Sequence, residues 1–132
     1  MSAQRSMAVA ALLMVCGIII GALASHALQS SLSATQLHAL DTAVQYQLLN
    51  ALGLFLIGLL AQSRVDAWLP RIALVLAVGI VCFSGGIYVM MLAGVPRILG
   101  LITPVGGVLM ILAWAMLAWR LLTTSDGASR RL

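Results

Sequence analysis

His26 and His38 are the only side chains of this chain that titrate near neutral pH, and Cys16 and Cys82 are its only thiols. These four could move protons, attack carbon or hold a soft metal, but their spacing builds no such site. His26 has no second histidine nearby to share a haem or metal. His38 stands beside Leu37 on a segment expected to lie at an interface. Two cysteines give no metal or redox spacing. Copper(I) held by Cys82 with Met90, Met91 or Met110 is chemically reasonable, because soft ligands suit that ion. The same sulfur side chains also fill gaps in apolar cores, and packing is the preferred reading. Within the apolar segments there is no Ser-His pair, metal-ligand cluster or carboxylate dyad. The chain therefore reads as no enzyme and as needing no metal or cofactor.

Neutral polarity is more telling. Thr42, Gln45, Tyr46, Asn50 and Gly53 fall on one side of a helical wheel, with Val44, Leu48, Ala51 and Phe55 on the other. Inside a bilayer such a stripe must face protein or water. It either hydrogen-bonds between helices, at about 0.6–2 kcal/mol per bond, or lines a small polar cavity for a ligand. Interhelical bonding is the preferred reading. Ser84 and Tyr88 share a helix face one turn apart, and Gly85 and Gly86 between them allow close approach or a distorted helix. Thr103-Pro104-Val105-Gly106-Gly107 predicts a kink a few residues into the last apolar segment. Carbonyls freed near Gly100 would find partners in Thr103, Ser84 or Tyr46. His26 could hydrogen-bond the Thr42–Tyr46 turn or the third loop. Gly17, Gly21 and Ser25 form a small-residue ridge that lets helix backbones meet.

The elements that position these groups are legible from charge. All ten charged side chains lie outside four apolar runs at 7–24, 43–61, 72–93 and 99–119. Each run is close to the ~20 residues needed to cross a ~30 Å hydrocarbon core. One charge at mid-bilayer costs about 2.5–3.5 kcal/mol on insertion scales, so the sweep is not accidental. Hydrophobic residues make up 63% and charged residues 8%, which excludes an ordinary soluble domain. The seven arginines are scattered, without a basic patch or stacking aromatics, which argues against nucleic acid. The fold class is all-α: a single membrane-embedded four-helix bundle. Arg5, Arg64, Arg71, Arg120, Arg130 and Arg131 fall on one side and Arg97 on the other. The positive-inside rule then places both termini in the cytoplasm.

Local signals refine this plan. Arg5 and the first run, ending Ala22-Leu23-Ala24 before Ser25, look like a signal peptide, but the run is longer than the usual 7–15 residues and a retained helix is expected. Cys16 is not a lipoprotein cysteine, because Val15 precedes it. Ser33 with Gln36 fits a capping box, with Leu32 and Leu37 as its staple. A helix from Ser33 to Ala61 would be ~43 Å long, so its first turns form an amphipathic outer stub carrying Leu37, Leu40, Val44 and Leu48. Asp41 and Arg97 are expected to pair at the outer face, worth ~0–1 kcal/mol if exposed.

Gly21-Ala-Leu-Ala-Ser-His26-Ala-Leu28, Asp41-Thr-Ala-Val-Gln-Tyr46-Gln47, Phe83-Ser-Gly-Gly-Ile-Tyr88 and Ile102-Thr-Pro-Val-Gly-Gly107 with Trp114 together resemble the domain-of-unknown-function 423 family. The resemblance spans nearly the whole chain in order and spacing. It implies a four-helix membrane protein, in bacteria an inner-membrane one, and it implies no activity. The family often carries a histidine after the Tyr-Gln pair, where this chain has Asn50, so a proton-accepting histidine at that position is not available. The expected partners are the lipid bilayer and a homo-oligomer or larger membrane complex, with no nucleic acid. A structural or accessory role fits every feature, and a small transporter or channel is the alternative.

Overall fold

The computed structural model describes residues 1–93 and 100–125. Among them the regular elements are all helical: α1 (Ala3–His26), α2 (Ala34–Ser63), α3 (Leu69–Ile80), a π-helical turn (Val81–Gly85), α4 (Gly86–Ala93) and α5 (Ile102–Ser125). The stretch Leu69–Ala93 is one continuous span, so four helical segments are long and apolar enough to cross a membrane. α1 runs unbroken through Ala24 and Ser25 to His26.

Helix ends follow from local chemistry. At the start of α2 the Ser33 hydroxyl accepts the Gln36 N–H at 3.3 Å, and Gln36 Oε1 accepts the Ser33 N–H at 3.0 Å. Two otherwise orphaned donors are thereby satisfied. Pro104 does not kink a span, contrary to the expectation from sequence. α5 begins at Ile102, which puts Pro104 in the first turn, where its missing N–H would have had no intrahelical partner anyway. The distortion lies in the third span, whose π-helical turn accommodates one extra residue per turn.

Burial ranks the helices. Half of the α2 span and 44% of the third are buried, against 17% for α1 and α5. α1 packs along α2, α5 packs along α3 and the π-turn, and α2 meets α3, whereas α2 and α5 make no extensive contact. Leu54, Leu69, Ile72, Leu76 and Ile80 are fully buried at the centre, with Ala10, Met110 and Ala113 closing over them. Glycines set the close crossings. A Cβ on Gly17 would stand 2.9 Å from Leu48 Cδ2, and one on Gly58 2.7 Å from Met7 Cγ. Val44 meets Gly21 in the same way at 3.3 Å, so the side of α2 opposite its polar stripe is covered by α1. Between α3 and α5 the approach is backbone to backbone: a Cβ on Gly79 would lie 3.1 Å from Gly106 O.

One end of the bundle gathers the start of α1, the α2–α3 loop and the end of α5. The Met1 amino group donates to Pro70 O at 3.3 Å, and Arg120 Nε donates to Asp66 Oδ2 at 2.8 Å. Trp68 and Trp119 meet edge to face with centroids 5.8 Å apart, and the Arg71 guanidinium lies 5.4 Å over Trp68. Amphipathic rings beside arginines are characteristic of a membrane–water boundary. The Trp68 backbone N–H, donated to Asp66 at 2.9 Å, holds that carboxyl below its ordinary range; partial burial opposes this, and Arg120 adds to it.

Candidate functional site

The buried, core-facing arc of α2 is Leu40, Ala43, Gln47, Ala51, Gly53, Leu54, Ile57 and Gly58. The polar stripe Thr42, Gln45, Tyr46, Asn50 and Gly53 is centred to one side of it, offset by between a quarter and a third of a turn at about 100° per residue, with Gly53 shared by both. The polar side chain that enters the core is therefore Gln47, which sequence reasoning left out of the stripe. Gln47 is 3% exposed, and its Nε2 donates to Leu13 O in α1 at 2.7 Å. Ser84, on the π-turn, donates to Ala43 O in α2 at 2.8 Å. Both bonds run from a side chain to a helix carbonyl on another span, so they tie three of the four spans together.

The flanking stripe looks onto a cleft of about 560 Å³ between α2 and α5. Tyr46 and Asn50 line one wall and Gly107, Met110, Ile111 and Trp114 the other, with Phe83 of the π-turn between them. The cleft opens sideways, since Tyr46 is 49% and Trp114 42% exposed. Trp114 bridges the gap. Its ring rests over Gly53, where a Cβ would come within 2.5 Å of Cζ2, and its Nε1 donates to Asn50 Oδ1 at 2.8 Å. That bond fixes the amide orientation, because indole nitrogen only donates. Asn50 Nδ2 then donates to Tyr46 O one turn back at 2.9 Å. Tyr46 and Phe83 stack at a tilt, centroids 5.0 Å apart.

The sequence-predicted polar set is thus divided. Tyr46 and Asn50 share the cleft, whereas Ser84 points into the core. Thr42 turns back to its own helix and donates to His38 O at 3.0 Å, as a hydroxyl in a helix commonly does. Gln45 and His26 are exposed, and Pro104 is exposed at the start of α5. The hydroxyls of Tyr88 and Thr103 are buried without a partner among the described residues. Thr103 Oγ1 instead lies 2.8 Å from where a Cβ on Gly86 would stand. Of the packing residues, Gly17, Gly21, Gly86 and Gly106 meet another helix closely, and Gly107 meets the Phe83 ring at 3.7 Å. Gly85 does not serve packing: nothing lies within 4 Å of its Cβ position. Ser25 is exposed and donates to Gly21 O of its own helix at 2.8 Å, so the ridge ends at Gly21. Asp41 is exposed, and Arg97 falls outside the described residues, as does any pairing between them.

The sulfur side chains are dispersed. Cys82 lines an apolar gap with Met1 and Val9, Met110 packs over Gly79, and Met90 lies against Gly100. Among the described residues no group of three or more His, Cys, Asp or Glu is placed to hold a metal.

A family model described as "Protein of unknown function (DUF423)" matches residues 20–107. The chain belongs to the DUF423 family. A UPF0382 membrane protein of Staphylococcus saprophyticus is 40% identical over 97 residues, covering 74% of this chain and 79% of the relative. One from Staphylococcus haemolyticus is 38% identical over 102 residues, covering 74% and 78%. The UPF0382 inner membrane protein YgdD of Escherichia coli K12 is 30% identical over 100 residues, covering 76% of each chain. No solved structure matches significantly. The chain is a multi-pass integral membrane protein of this family, and the bilayer is its environment. The matched segment contains Tyr46, Asn50, Phe83 and Gly107 and stops short of Met110, Ile111 and Trp114.

Proposed function

We propose that this protein is a non-enzymatic accessory component of the membrane that works by helix packing, with itself or within a larger complex. The observation that carries this reading is the destination of its core polarity. Gln47 and Ser84 each direct a donor to a carbonyl of a neighbouring span, which fixes the bundle. Model bonds of this kind contribute about 0.6–2 kcal/mol each in membranes, enough to set one packing arrangement. α1 and α5 keep broad apolar outer faces, as a helix that meets lipid or another protein requires. The excess of arginines at the end that carries Asp66, Arg71 and Arg120 supports a cytoplasmic position for that end.

The alternative, a small transporter, draws support from the cleft beside a π-helical turn, since broken helices mark binding sites in transporters. Proteoliposome flux separates the two. With the purified chain reconstituted, permeability to ions and small neutral solutes should match protein-free vesicles, while affinity capture from detergent-solubilised membranes should retain a stoichiometric partner or a second copy. A saturable flux lost on Asn50→Leu would move the assignment to transport.

A further inference from the structure

We infer that the α2–α5 cleft is a binding site for a neutral, flat, lipid-soluble carbonyl compound of the quinone class. This stands apart from the accessory role, because it rests on the cleft alone. Four observations lead to it. The cleft, at about 560 Å³, falls in the range of sites that hold small organic ligands. Its walls offer ring faces: Tyr46 stacked on Phe83, and Trp114 held edge-on over Gly53. Such faces favour a planar partner through offset stacking.

The third observation is hydrogen-bonding capacity. Asn50 Oδ1 is occupied by Trp114, and one Nδ2 hydrogen is occupied by Tyr46 O. The second Nδ2 hydrogen and the Tyr46 hydroxyl have no partner among the described residues, and both can donate. Among the described residues no charged side chain lines the cleft. Two spare donors in a low-dielectric setting call for a neutral acceptor, since an unmet donor in hydrocarbon is costly.

The fourth is depth. Trp114 lies near the middle of the 23-residue span Ile102–Thr124, so Asn50, bonded to it, lies near the bilayer midplane. Tyr46 is one turn away, about 6 Å along the axis. Phospholipid ester carbonyls lie at the interface, about 15 Å from that level, and acyl tails bring no acceptor to it. A quinone-type ring is neutral, flat and rich in acceptors, and it moves freely to the midplane while its tail leaves through the open side of the cleft.

The test uses the full chain in nanodiscs with Trp68→Phe and Trp119→Phe, so that Trp114 is the only indole, and decylubiquinone as quencher. Saturable quenching is expected, weakened about fivefold or more by Tyr46→Phe, which keeps the ring against Phe83 and removes one donor. Decylbenzene, of similar shape without acceptors, should not compete. Should the double-Phe background fold poorly, retention of decylubiquinone on immobilised wild-type chain reads the same affinity, and Ile111→Phe, at an exposed wall position, should lower it. Non-saturating quenching equal to that of tryptophan octyl ester in the same nanodiscs would overturn the inference. So would equal competition by decylbenzene, or wild-type affinity in Tyr46→Phe.

Discussion

Replacing Gly106 with alanine places a methyl group where α5 crosses the third span. The new Cβ would collide with Phe83 N and stand 2.8 Å from both Phe83 Cα and Gly79 O. Carbon contacts relax near 3.5–4.0 Å, and backbone atoms have no rotamer through which to yield, so α5 must withdraw by about 1 Å. A gap of that size forfeits a quarter to a half of each contact's attraction along the crossing, and overpacking of this kind costs about 1–3 kcal/mol. Because the obstructing atoms are backbone, the cost should sit in the upper part of that range, about 2–3 kcal/mol. Alanine returns about 0.5–1 kcal/mol through its better helix propensity, so the net loss should be about 1–2.5 kcal/mol. The neighbouring glycines provide the control. A Cβ on Gly107 meets the Phe83 ring at 3.7 Å, an ordinary contact, and one on Gly85 meets nothing within 4 Å. Gly107→Ala and Gly85→Ala should therefore be neutral or slightly stabilising. Far-UV circular dichroism during SDS titration of mixed micelles reads all three. A Gly106→Ala protein within about 0.5 kcal/mol of wild type, or a Gly107→Ala protein equally weakened, refutes the backbone-contact account.

Three other outcomes follow from the same structure. Ser84→Ala should cost about 0.6 kcal/mol and no more than ~1.7, the span measured for such bonds in a membrane bundle, and the same SDS titration measures it. Pro104→Ala should change stability by no more than about 1 kcal/mol, because a first-turn proline breaks no helix bond, and a gain approaching ~3 kcal/mol would restore the interior kink. Asp66 is held below its ordinary range by the Trp68 N–H, with Arg120 adding to it, so its folded pKa lies under its unfolded value. Its contribution is complete above about pH 4, the unfolded value, and disappears as pH falls through the lowered folded one. Thermal unfolding in detergent from pH 7 downward should show an acid loss that Asp66→Asn removes.

The spans and their caps could be read in the sequence because both are local. A charge in hydrocarbon is costly wherever it falls, and Ser33 with Gln36 closes a capping box within a single turn. Which face of a helix turns inward is a property of its neighbours. The wheel identified the stripe Thr42–Asn50 but not that Gln47, on the core-facing arc, would be the residue bonded to α1. As the one polar side chain of that stretch lying outside the stripe, Gln47 was a signal available in the sequence. Gly58 and Gly79 escaped notice, and Gly53 was read only as part of the polar stripe, because a glycine's role as a seat appears only once Met7, Met110 or Trp114 lies across it. Placing the last span at 99 rather than Ile102 turned a helix-starting proline into a kink. The π-turn at Val81–Gly85 shifts the phase of the third span and brings Phe83 to the cleft, which no fixed 3.6-residue wheel anticipates.

Whether the outer helices meet protein in the living membrane decides the central claim most directly. A photoreactive residue at Leu12 on α1 or at Val108 on α5, both more than half exposed, can be activated in intact cell membranes. The packing account predicts a discrete crosslinked protein product from at least one of these faces, of fixed mass and reproducible between preparations. Lipid adducts alone from both faces would contradict it.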